Sequence, residues 1–287
     1  MSIRVGFVGL GNIGLPIAQR LVEAGLDTVV FDRREEPCRE LEEAGARVAA
    51  SCAEVARDAD VIGVCVRDDA EVREVTIGPD GVADNAPAGA VIALYSTILP
   101  STVREVAHAA SGRGVGVVDA SVSGGAAGAQ RGKLTYMVGG DAEMVARCRP
   151  VFETSAAKII HTGPLGTGAA TKLCHGIMTY LGFLAAYETT LLARHAGLSG
   201  EALEEVTRSS GVMTDQTLAF VRMRRAVESR PDDAELQATL RNFTDLAEKD
   251  LELTLAFARE QGVALPGTGQ CQQLMARVYG IEDEKRR

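Results

Sequence analysis

A short run of glycines near the start of the chain limits the possible folds more than any other feature. Gly9, Gly11 and Gly14 form a G-x-G-x-x-G motif that directly follows the apolar run IRVGFV and opens the helical pattern PIAQRLVEAG. In a βαβ unit the first glycine permits the tight turn, the second lets a pyrophosphate approach, and the third lets helix pack on strand. The motif alone also fits a glycine turn without a ligand, so the following strand decides the interpretation.

That strand carries an acidic residue at the distance expected for a dinucleotide site. The amides near Asn12 and Ile13, at the start of the helix, are expected to face the phosphates. The second predicted strand ends VVFDRR, which places Asp32 where a carboxylate accepts from the adenosine ribose diol and repels a 2′-phosphate. An arginine at this turn can hold a 2′-phosphate, so Arg33 and Arg34 favour NADP unless they are solvated turn residues. The predicted cofactor is NAD or NADP, with NAD favoured.

The remaining pattern predicts two domains of different classes. Short β-rich runs alternate with amphipathic runs up to about residue 160, which is typical of α/β proteins. Beyond Gly168 the 3.6-residue period continues to the end. We therefore predict a Rossmann domain, a doubly wound parallel sheet, over 1–163, and an all-helical domain over 164–287 that begins with a long interdomain helix. The predicted strands are 3–8, 27–31, 46–49, 61–66, 90–95, 115–120, 134–139 and 157–162, and the predicted C-terminal helices are 168–196, 199–209, 214–228, 236–262 and 267–280.

Charge and composition exclude several functions. The chain has 30 Lys plus Arg against 39 Asp plus Glu, a net charge of -9, which argues against nucleic-acid or anionic-membrane partners. The most apolar stretch, Leu173 to Tyr187, is shorter than the ~20 residues that cross a bilayer. The six cysteines are scattered, so neither a metal site nor a disulfide framework is expected, and a cytoplasmic location with reduced thiols follows. The tail EDEKRR is expected to be a solvated end.

Two segments of the chain carry candidate substrate chemistry. Ser123, Gly124 and Gly125 follow a predicted strand and offer a hydroxyl and unobstructed amides, which suit a small carboxylate, although flexibility alone also explains such a loop. The second segment, GTGAATKLCHG, sets Lys172 into small and apolar residues at the start of a helix, where a buried ammonium is costly.

Four blocks of the sequence together resemble one known family. They are GFVGLGNIGLPIAQRL, DASVSGGAAGAQRGKLTYMVGG, GPLGTGAATKLCHG and AEKDLELTLAFAREQGVALP. In order and at similar spacing over nearly the whole chain, they are similar to the signature blocks of the β-hydroxyacid dehydrogenases, which include 3-hydroxyisobutyrate dehydrogenase and tartronate semialdehyde reductase. The resemblance implies hydride transfer between NAD(P) and a small 3-hydroxy acid or its semialdehyde or keto form.

The resemblance also assigns roles to individual residues. It implies that Ser123, Gly124 and Gly125 bind the substrate carboxylate, that Lys172 is catalytic, that Lys249 contacts the cofactor, and that Thr97, in the S-T-x-x-P loop 96–100, lies near the nicotinamide. It further implies that the helical domain binds substrate and pairs into a homodimer or a higher homo-oligomer.

The chemistry of a lysine fits the implied role of Lys172. Alcohol oxidation requires loss of a hydroxyl proton as hydride leaves, and the reverse direction needs a proton donor. A free lysine, with a pKa of ~10.4, is too basic for this task near neutrality. Partial burial and the oxidised nicotinamide would lower that pKa. The alternative is a lysine whose stem covers apolar surface while its head group reaches water.

The chain departs from the family pattern beside this lysine and in the carboxylate loop. His175 lies on the same helix face, three residues on, where relatives usually carry asparagine, and Gly176 follows it. We predict that His175 also acts in the active site, the alternative being a satisfied core histidine. Ser121 replaces the usual proline of D-A-P-V-S-G-G, so the substrate preference is expected to differ from that of the named relatives.

Two other functions fit the same predicted fold. One is an NADPH-dependent imine reductase, whose members generally replace the lysine. The other is a non-catalytic dinucleotide-binding protein, which loses the lysine. The presence of Lys172 argues against an imine reductase. The presence of Lys172 and Ser123 argues against a non-catalytic protein, so a dehydrogenase is favoured over both.

Overall fold

The computed structural model describes residues 3–230 and 232–281, so the predicted solvated end at 282–287 lies outside them. The chain forms two compact units, Met1–Lys172 and Leu173–Arg287. The boundary between them falls inside one continuous helix, Thr167–His195. Since a helix that runs through the junction offers no sharp edge, the predicted division between 163 and 164 stays a prediction.

The first unit is built on an eight-stranded sheet with the order β3-β2-β1-β4-β5-β6-β7-β8. From β1 the chain builds outward to β2 and β3, and then returns to place β4 on the other side of β1. Such a reversal opens a crevice at the carboxyl ends of β1 and β4, where open α/β sheets bind ligands. The strands are β1 Arg4–Val8, β2 Asp27–Phe31, β3 Arg47–Val48, β4 Val61–Val64, β5 Val91–Leu94, β6 Gly116–Ser123, β7 Leu134–Gly139 and β8 Ala156–Gly163.

One pairing in this sheet is antiparallel. Strands β1 to β6 run parallel, whereas β7 runs against β6 and parallel to β8. The connection from β6 to β7 covers only residues 124–133. Two parallel strands need a crossover connection of a dozen or more residues. A connection this short therefore favours an antiparallel pair. The same pairing extends β6 to Ser123, past the predicted end at residue 120.

Apolar side chains cover both faces of the sheet. Strands β4 and β5 are buried at every position, as expected where helices pack on both sides. One core lies between one face of the sheet and four helices. The other core lies on the opposite face, against the remaining helices of the first unit, and also contains Ala169 from the helix Thr167–His195. The predicted α/β class with a helical second part is confirmed, with a mostly parallel sheet.

The second unit is helical throughout its described residues. It has its own core of apolar and aromatic side chains, in which Phe183 stacks on Phe220 at a ring-centroid distance of 4.6 Å and Tyr279 meets the edge of both. Within 3–230 and 232–281, none of the helices combines the length and apolarity that a bilayer-spanning segment needs. The helices are α1 Gly14–Glu23, α2 Glu35–Glu43, α3 Cys52–Ala56, α4 Asp69–Ile77, α5 Val82–Asn85, α6 Pro100–Ser111, α7 Gly125–Gln130, α8 Ala142–Phe152, α9 Thr167–His195, α10 Gly200–Ser209, α11 Asp215–Ser229, α12 Ala234–Glu260 and α13 Pro266–Tyr279.

Candidate active site

The three motif glycines meet three different structural demands. Gly9 has a φ of 93°, and a Cβ there would collide with the Cys65 carbonyl oxygen. A Cβ on Gly14 would collide with the carbonyl oxygen of Gly9, so this glycine lets α1 pack on the turn. A Cβ on Gly11 would meet nothing within 4 Å. Protein packing therefore explains Gly9 and Gly14, while Gly11 leaves open space above the turn.

The start of α1 fits the phosphates of a dinucleotide. Its N-cap is Ile13, whose apolar side chain accepts no hydrogen bond from the first-turn amides. The first amides of a helix have no partner within the helix, and the helix dipole makes them attractive to anions. Together with the open space at Gly11, these amides offer the polarity that suits a pyrophosphate.

Asp32 closes the same turn from the end of β2. One carboxylate oxygen, Oδ2, accepts from the Leu10 amide at 2.7 Å, and Oδ1 accepts from the amide and Nε of Arg34 at 2.9 and 3.1 Å. Burial alone would raise the pKa of Asp32, but the hydrogen bonds from Arg34 and Leu10 outweigh it and hold the pKa below its ordinary value. Asp32 is thus an ionised group beside the phosphate turn.

The two arginines after Asp32 lie in different environments. The Nη2 atom of Arg34 donates to the Leu10 carbonyl at 2.9 Å, so Arg34 joins Asp32 to the glycine turn. Arg33, which we predicted as a cofactor contact, forms an exposed ion pair of 2.6 Å with Glu74 in α4. The two arginines therefore differ in their contact with the phosphate turn, and Arg34 is the one that touches it.

The loop that contains Thr97 leaves the carboxyl end of β5. Its first residue, Ser96, accepts from the Val66 amide at 2.9 Å and donates to the Val66 carbonyl at 2.7 Å. This double hydrogen bond fastens the loops after β4 and β5 to each other. Thr97 is half-buried in that fastened loop, at the edge of the sheet that carries the phosphate turn.

Ser123, Gly124 and Gly125 form the end of β6 and the turn that follows it. Ser123 is half-buried and pairs with Thr135 of β7, while both glycines are exposed. Gly124 and Gly125 have φ values of 130° and 64°, a region that side-chain-bearing residues rarely adopt. The glycines are thus required by the turn itself, and they are exposed next to the residue that carries the hydroxyl.

A buried carboxylate on β6 holds the start of the helix that carries Lys172. The Asp119 residue is 1% exposed, and its Oδ1 and Oδ2 atoms accept from the amides of Gly166 and Ala169, both at 2.7 Å. Lys172 is half-buried one turn after Ala169. Two positions further along β6, the hydroxyl of Ser121 is buried and has no hydrogen-bond partner among the described residues.

In the helical unit, Lys249 belongs to a buried polar cluster. Its Nζ lies 2.9 Å from Oδ1 of Asp250, and the side chain of Lys249 is only 20% exposed. The hydroxyl of Tyr180 donates to Oδ2 of Asp250 at 3.0 Å. Burial first, and then the charge of Asp250, raise the pKa of Tyr180 well above its ordinary value, so the hydroxyl stays a donor. An ordinary exposed lysine on a helix surface would not be held in this way.

His175 and Gly176 lie in α9, near Tyr180. His175 is half-buried, and a Cβ on Gly176 would approach the Tyr180 ring no closer than 3.8 Å. That distance is an ordinary van der Waals contact, so packing does not require a glycine at this position. A small side chain at 176 would therefore meet no steric conflict within this unit.

Comparison with known proteins identifies the family. The family model described as the NAD-binding domain of 6-phosphogluconate dehydrogenase matches residues 4–163. The model described as the NAD-binding region of NADP-dependent 3-hydroxyisobutyrate dehydrogenase matches residues 166–285. Between them the two matches span nearly all of the sequence. The chain belongs to the β-hydroxyacid dehydrogenase family and is an NAD(P)-dependent oxidoreductase, as the sequence blocks predicted.

Three similar proteins carry names that describe an activity. The NAD-dependent L-serine dehydrogenase of Pseudomonas aeruginosa is 36% identical over 207 residues, covering 72% of this chain and 70% of its own. The 2-(hydroxymethyl)glutarate dehydrogenase of Eubacterium barkeri is 31% identical over 288 residues, covering 99% and 92%. The solved structure of Mycobacterium tuberculosis 3-hydroxyisobutyrate dehydrogenase with L-serine is 28% identical, with a TM-score of 0.81 and coverage of 98% and 94%.

Two residues that the structure places beside the predicted site residues had no predicted role. Asp119 begins the D-A-S-V-S-G-G block, and Asp250 follows Lys249 in the last block. Each forms a hydrogen bond or ion pair described above. A charged residue inside a motif block was the available signal in both cases.

Proposed function

We propose that this protein oxidises the hydroxymethyl group of a small 3-hydroxy carboxylate to the semialdehyde, and catalyses the reverse reduction, with NAD(P). The names of the relatives support this class, because serine, 3-hydroxyisobutyrate and 2-(hydroxymethyl)glutarate all carry a CH2OH group on the carbon next to a carboxylate. The observation that carries the proposal is the placement of Lys172 one turn after a helix start that is hydrogen-bonded to β6, the strand that ends in Ser123.

In this reaction Lys172 moves the proton. Its neutral amine accepts the substrate hydroxyl proton during oxidation, and its ammonium returns a proton to the carbonyl oxygen during reduction. The bound nicotinamide supplies the hydride acceptor or donor. Ser123 and the amides of Gly124 and Gly125 bind the substrate carboxylate, which orients the CH2OH group. His175, one turn further along α9, donates to a substrate oxygen.

The cofactor sites follow from the phosphate turn. Gly9, Gly11 and Gly14, with the amides around Asn12 and Ile13, hold the pyrophosphate. Asp32 accepts from the ribose diol, which favours NAD over NADP. Thr97 contacts the nicotinamide end, and Lys249 also contacts the cofactor. Arg33 lies near the ribose, but its ion pair with Glu74 weakens its capacity to bind a 2′-phosphate.

The protein acts as a homodimer in the cytoplasm. Large apolar side chains of the helical unit that are more than half exposed support the dimer; they include Leu192, Leu198, Val206 and Val212, at 71%, 61%, 65% and 76%. The scattered spacing of the six cysteines supports a reducing compartment.

Replacing Lys172 tests the proposed chemistry directly. Lys172→Ala is expected to lower kcat with serine or 3-hydroxyisobutyrate by ~10²–10⁴-fold, because it removes the proposed proton acceptor. The Kd for NADH, measured by fluorescence titration, is expected to stay within about threefold of wild type. Steady-state absorbance of NADH across a panel of 3-hydroxy acids gives the rates.

The matched control is Lys158→Ala, which removes an exposed lysine from β8 in the same unit. It is expected to leave both kcat and NADH binding unchanged. Full turnover in Lys172→Ala would show that another group moves the proton, and loss of NADH binding would assign Lys172 a structural role instead.

A further inference from the structure

The start of α9 is held by a charge from a distant part of the chain. Asp119 lies on β6, 47 and 50 residues before the two amides that it binds at 2.7 Å. Both carboxylate oxygens act as acceptors, which is the behaviour of an ionised carboxylate. A carboxylate is also the group that the positive end of a helix favours. The helix start is thus fixed to the sheet by two charge-assisted hydrogen bonds.

Two glycines bring the helix and the carboxylate together. A Cβ on Gly168, in the first turn of α9, would lie 2.8 Å from Oδ2 of Asp119 and would collide with the Met137 carbonyl. A Cβ on Gly139, the partner of Asp119 in β7, would lie 2.6 Å from Oδ1. Side chains at either position would separate the carboxylate from the amides. The helix start therefore lies directly on the β6–β7 pair, with little freedom to shift.

We propose that Asp119 is a positioning residue, which fixes the first turn of α9 so that Lys172, one turn later, is held in place for proton transfer. This inference rests on the proposed function of Lys172 as the proton-transfer group. Proton transfer tolerates little error in distance, and misplacements of about 1 Å can reduce rates ~100-fold. Asp119 acts only through Lys172 and touches neither substrate nor cofactor.

Holding a carboxylate at this buried position carries a cost for the fold. Burial raises the pKa of Asp119, and the hydrogen bonds from Gly166 and Ala169 offset only part of that rise. A raised pKa means that folding disfavours the charged form relative to an exposed carboxylate. A neutral residue of similar shape would avoid that cost, but it would offer only one acceptor oxygen to two amides.

A double-mutant cycle separates positioning from a general structural effect. Asp119→Asn is expected to lower kcat with 3-hydroxy acids ~10–100-fold, while KM and the Kd for NADH change by less than about threefold. In a Lys172→Ala background the same substitution is expected to change the residual kcat by less than about twofold, because the residue through which it acts is gone. An equal loss in both backgrounds would overturn the proposal.

The control is Asp141→Asn, which removes an exposed carboxylate that caps α8 in the same unit through the Glu143 amide at 2.9 Å. It is expected to leave kcat unchanged. If Asp119→Asn does not fold, Asp119→Ser, which is smaller and retains one acceptor, replaces it in the cycle. Loss of NADH binding and of the thermal transition in both variants would make Asp119 a structural residue and end the proposal.

A measurement without turnover distinguishes this inference from the proposed function. Hydrogen exchange of the 166–172 amides, followed by mass spectrometry, is expected to rise at least about tenfold in Asp119→Asn and to stay unchanged in Asp141→Asn. If the wild-type enzyme oxidises no 3-hydroxy acid, the proposed function fails while this measurement still decides whether Asp119 fixes the segment. Unchanged exchange in Asp119→Asn would overturn the inference whatever the activity.

Discussion

At the scale of single residues, two aspartates of the first unit are shifted in opposite directions by their surroundings. Asp32 is half-buried and Asp119 is buried, and burial raises the pKa of each carboxyl group. Around Asp32 the Arg34 guanidinium and two backbone amides more than compensate, so its pKa lies below the ordinary value. Asp119 has backbone amides but no cation among the causes of its shift, and its pKa lies above that value.

These shifts predict opposite pH dependences of stability. The stabilisation from Asp32 is present above its unfolded pKa of ~3.9 and is lost as the pH falls through the lower folded value. For Asp119 the favourable contribution is present below ~3.9 and is lost as the pH rises through the higher folded value. The free energy of unfolding of Asp32→Asn and Asp119→Asn, measured by urea denaturation between pH 3 and 7, checks both signs.

Relative to wild type, Asp32→Asn is expected to cost more stability at pH 7 than at pH 3, and Asp119→Asn less at pH 7 than at pH 3. Asp141→Asn serves as the exposed reference. The same slope for Asp32→Asn and Asp119→Asn would contradict the difference in environment described here.

At the scale of elements, the glycine turn between β1 and α1 combines a structural and a ligand-binding requirement. Gly14→Ala is expected to lower the free energy of unfolding by about 1–3 kcal/mol, because its methyl group collides with the Gly9 carbonyl. Gly11→Ala is expected to change it by less than about 0.5 kcal/mol, since its methyl group meets only open space.

Although Gly11→Ala is expected to have little effect on stability, it is expected to have a large effect on cofactor binding. Its methyl group would occupy the space through which the pyrophosphate approaches, so the Kd for NADH is expected to rise about tenfold or more in Gly11→Ala, as measured by fluorescence titration. A stable Gly11→Ala protein with unchanged NADH affinity would show that the phosphates bind elsewhere.

The elements themselves follow closely from local patterns. All eight predicted strands are present, and the five C-terminal helices begin and end within two residues of the prediction. The exception in detail is β6, which extends through Ser121 and Ser123. Polar residues at these positions are typical of the beginning of a loop, but their backbone pairs with Met137 and Thr135 of β7. That pairing is long-range and has no local signature, and it also makes one sheet neighbour antiparallel.

The candidate site likewise contains residues that local sequence patterns reveal and residues that they do not. The glycine motif, Asp32 and Lys172 stand out because each is unusual within a window of a few residues. The roles of Asp119 and Asp250 depend on partners 47 to 70 residues away. Neither partner could be identified from spacing, since both contacts arise only after the sheet or the helical core has formed.

At the scale of the whole molecule, the exposed apolar residues of the helical unit predict the assembly. Introducing Leu192→Glu and Val206→Glu together is expected to convert a homodimer to a monomer at micromolar concentration, because both side chains would leave water on association. Sedimentation equilibrium gives the mass. Val263→Glu, at a 53% exposed position in the turn after α12, is the control and is expected to stay dimeric. A wild-type monomer would refute the proposed dimer.

The position of the boundary between the compact units has a consequence for recombination. Because it falls after Lys172, the glycine turn, Asp32, Asp119, Ser123 and the lysine all lie in one segment of the gene product. A chimera that exchanges residues from 173 onward for those of a relative would inherit from this parent both the glycine turn and Lys172, the proposed proton-transfer group. Residues 175, 176 and 249 would come from the other parent, so such chimeras would measure what these three positions contribute when Lys172 and Ser123 are kept.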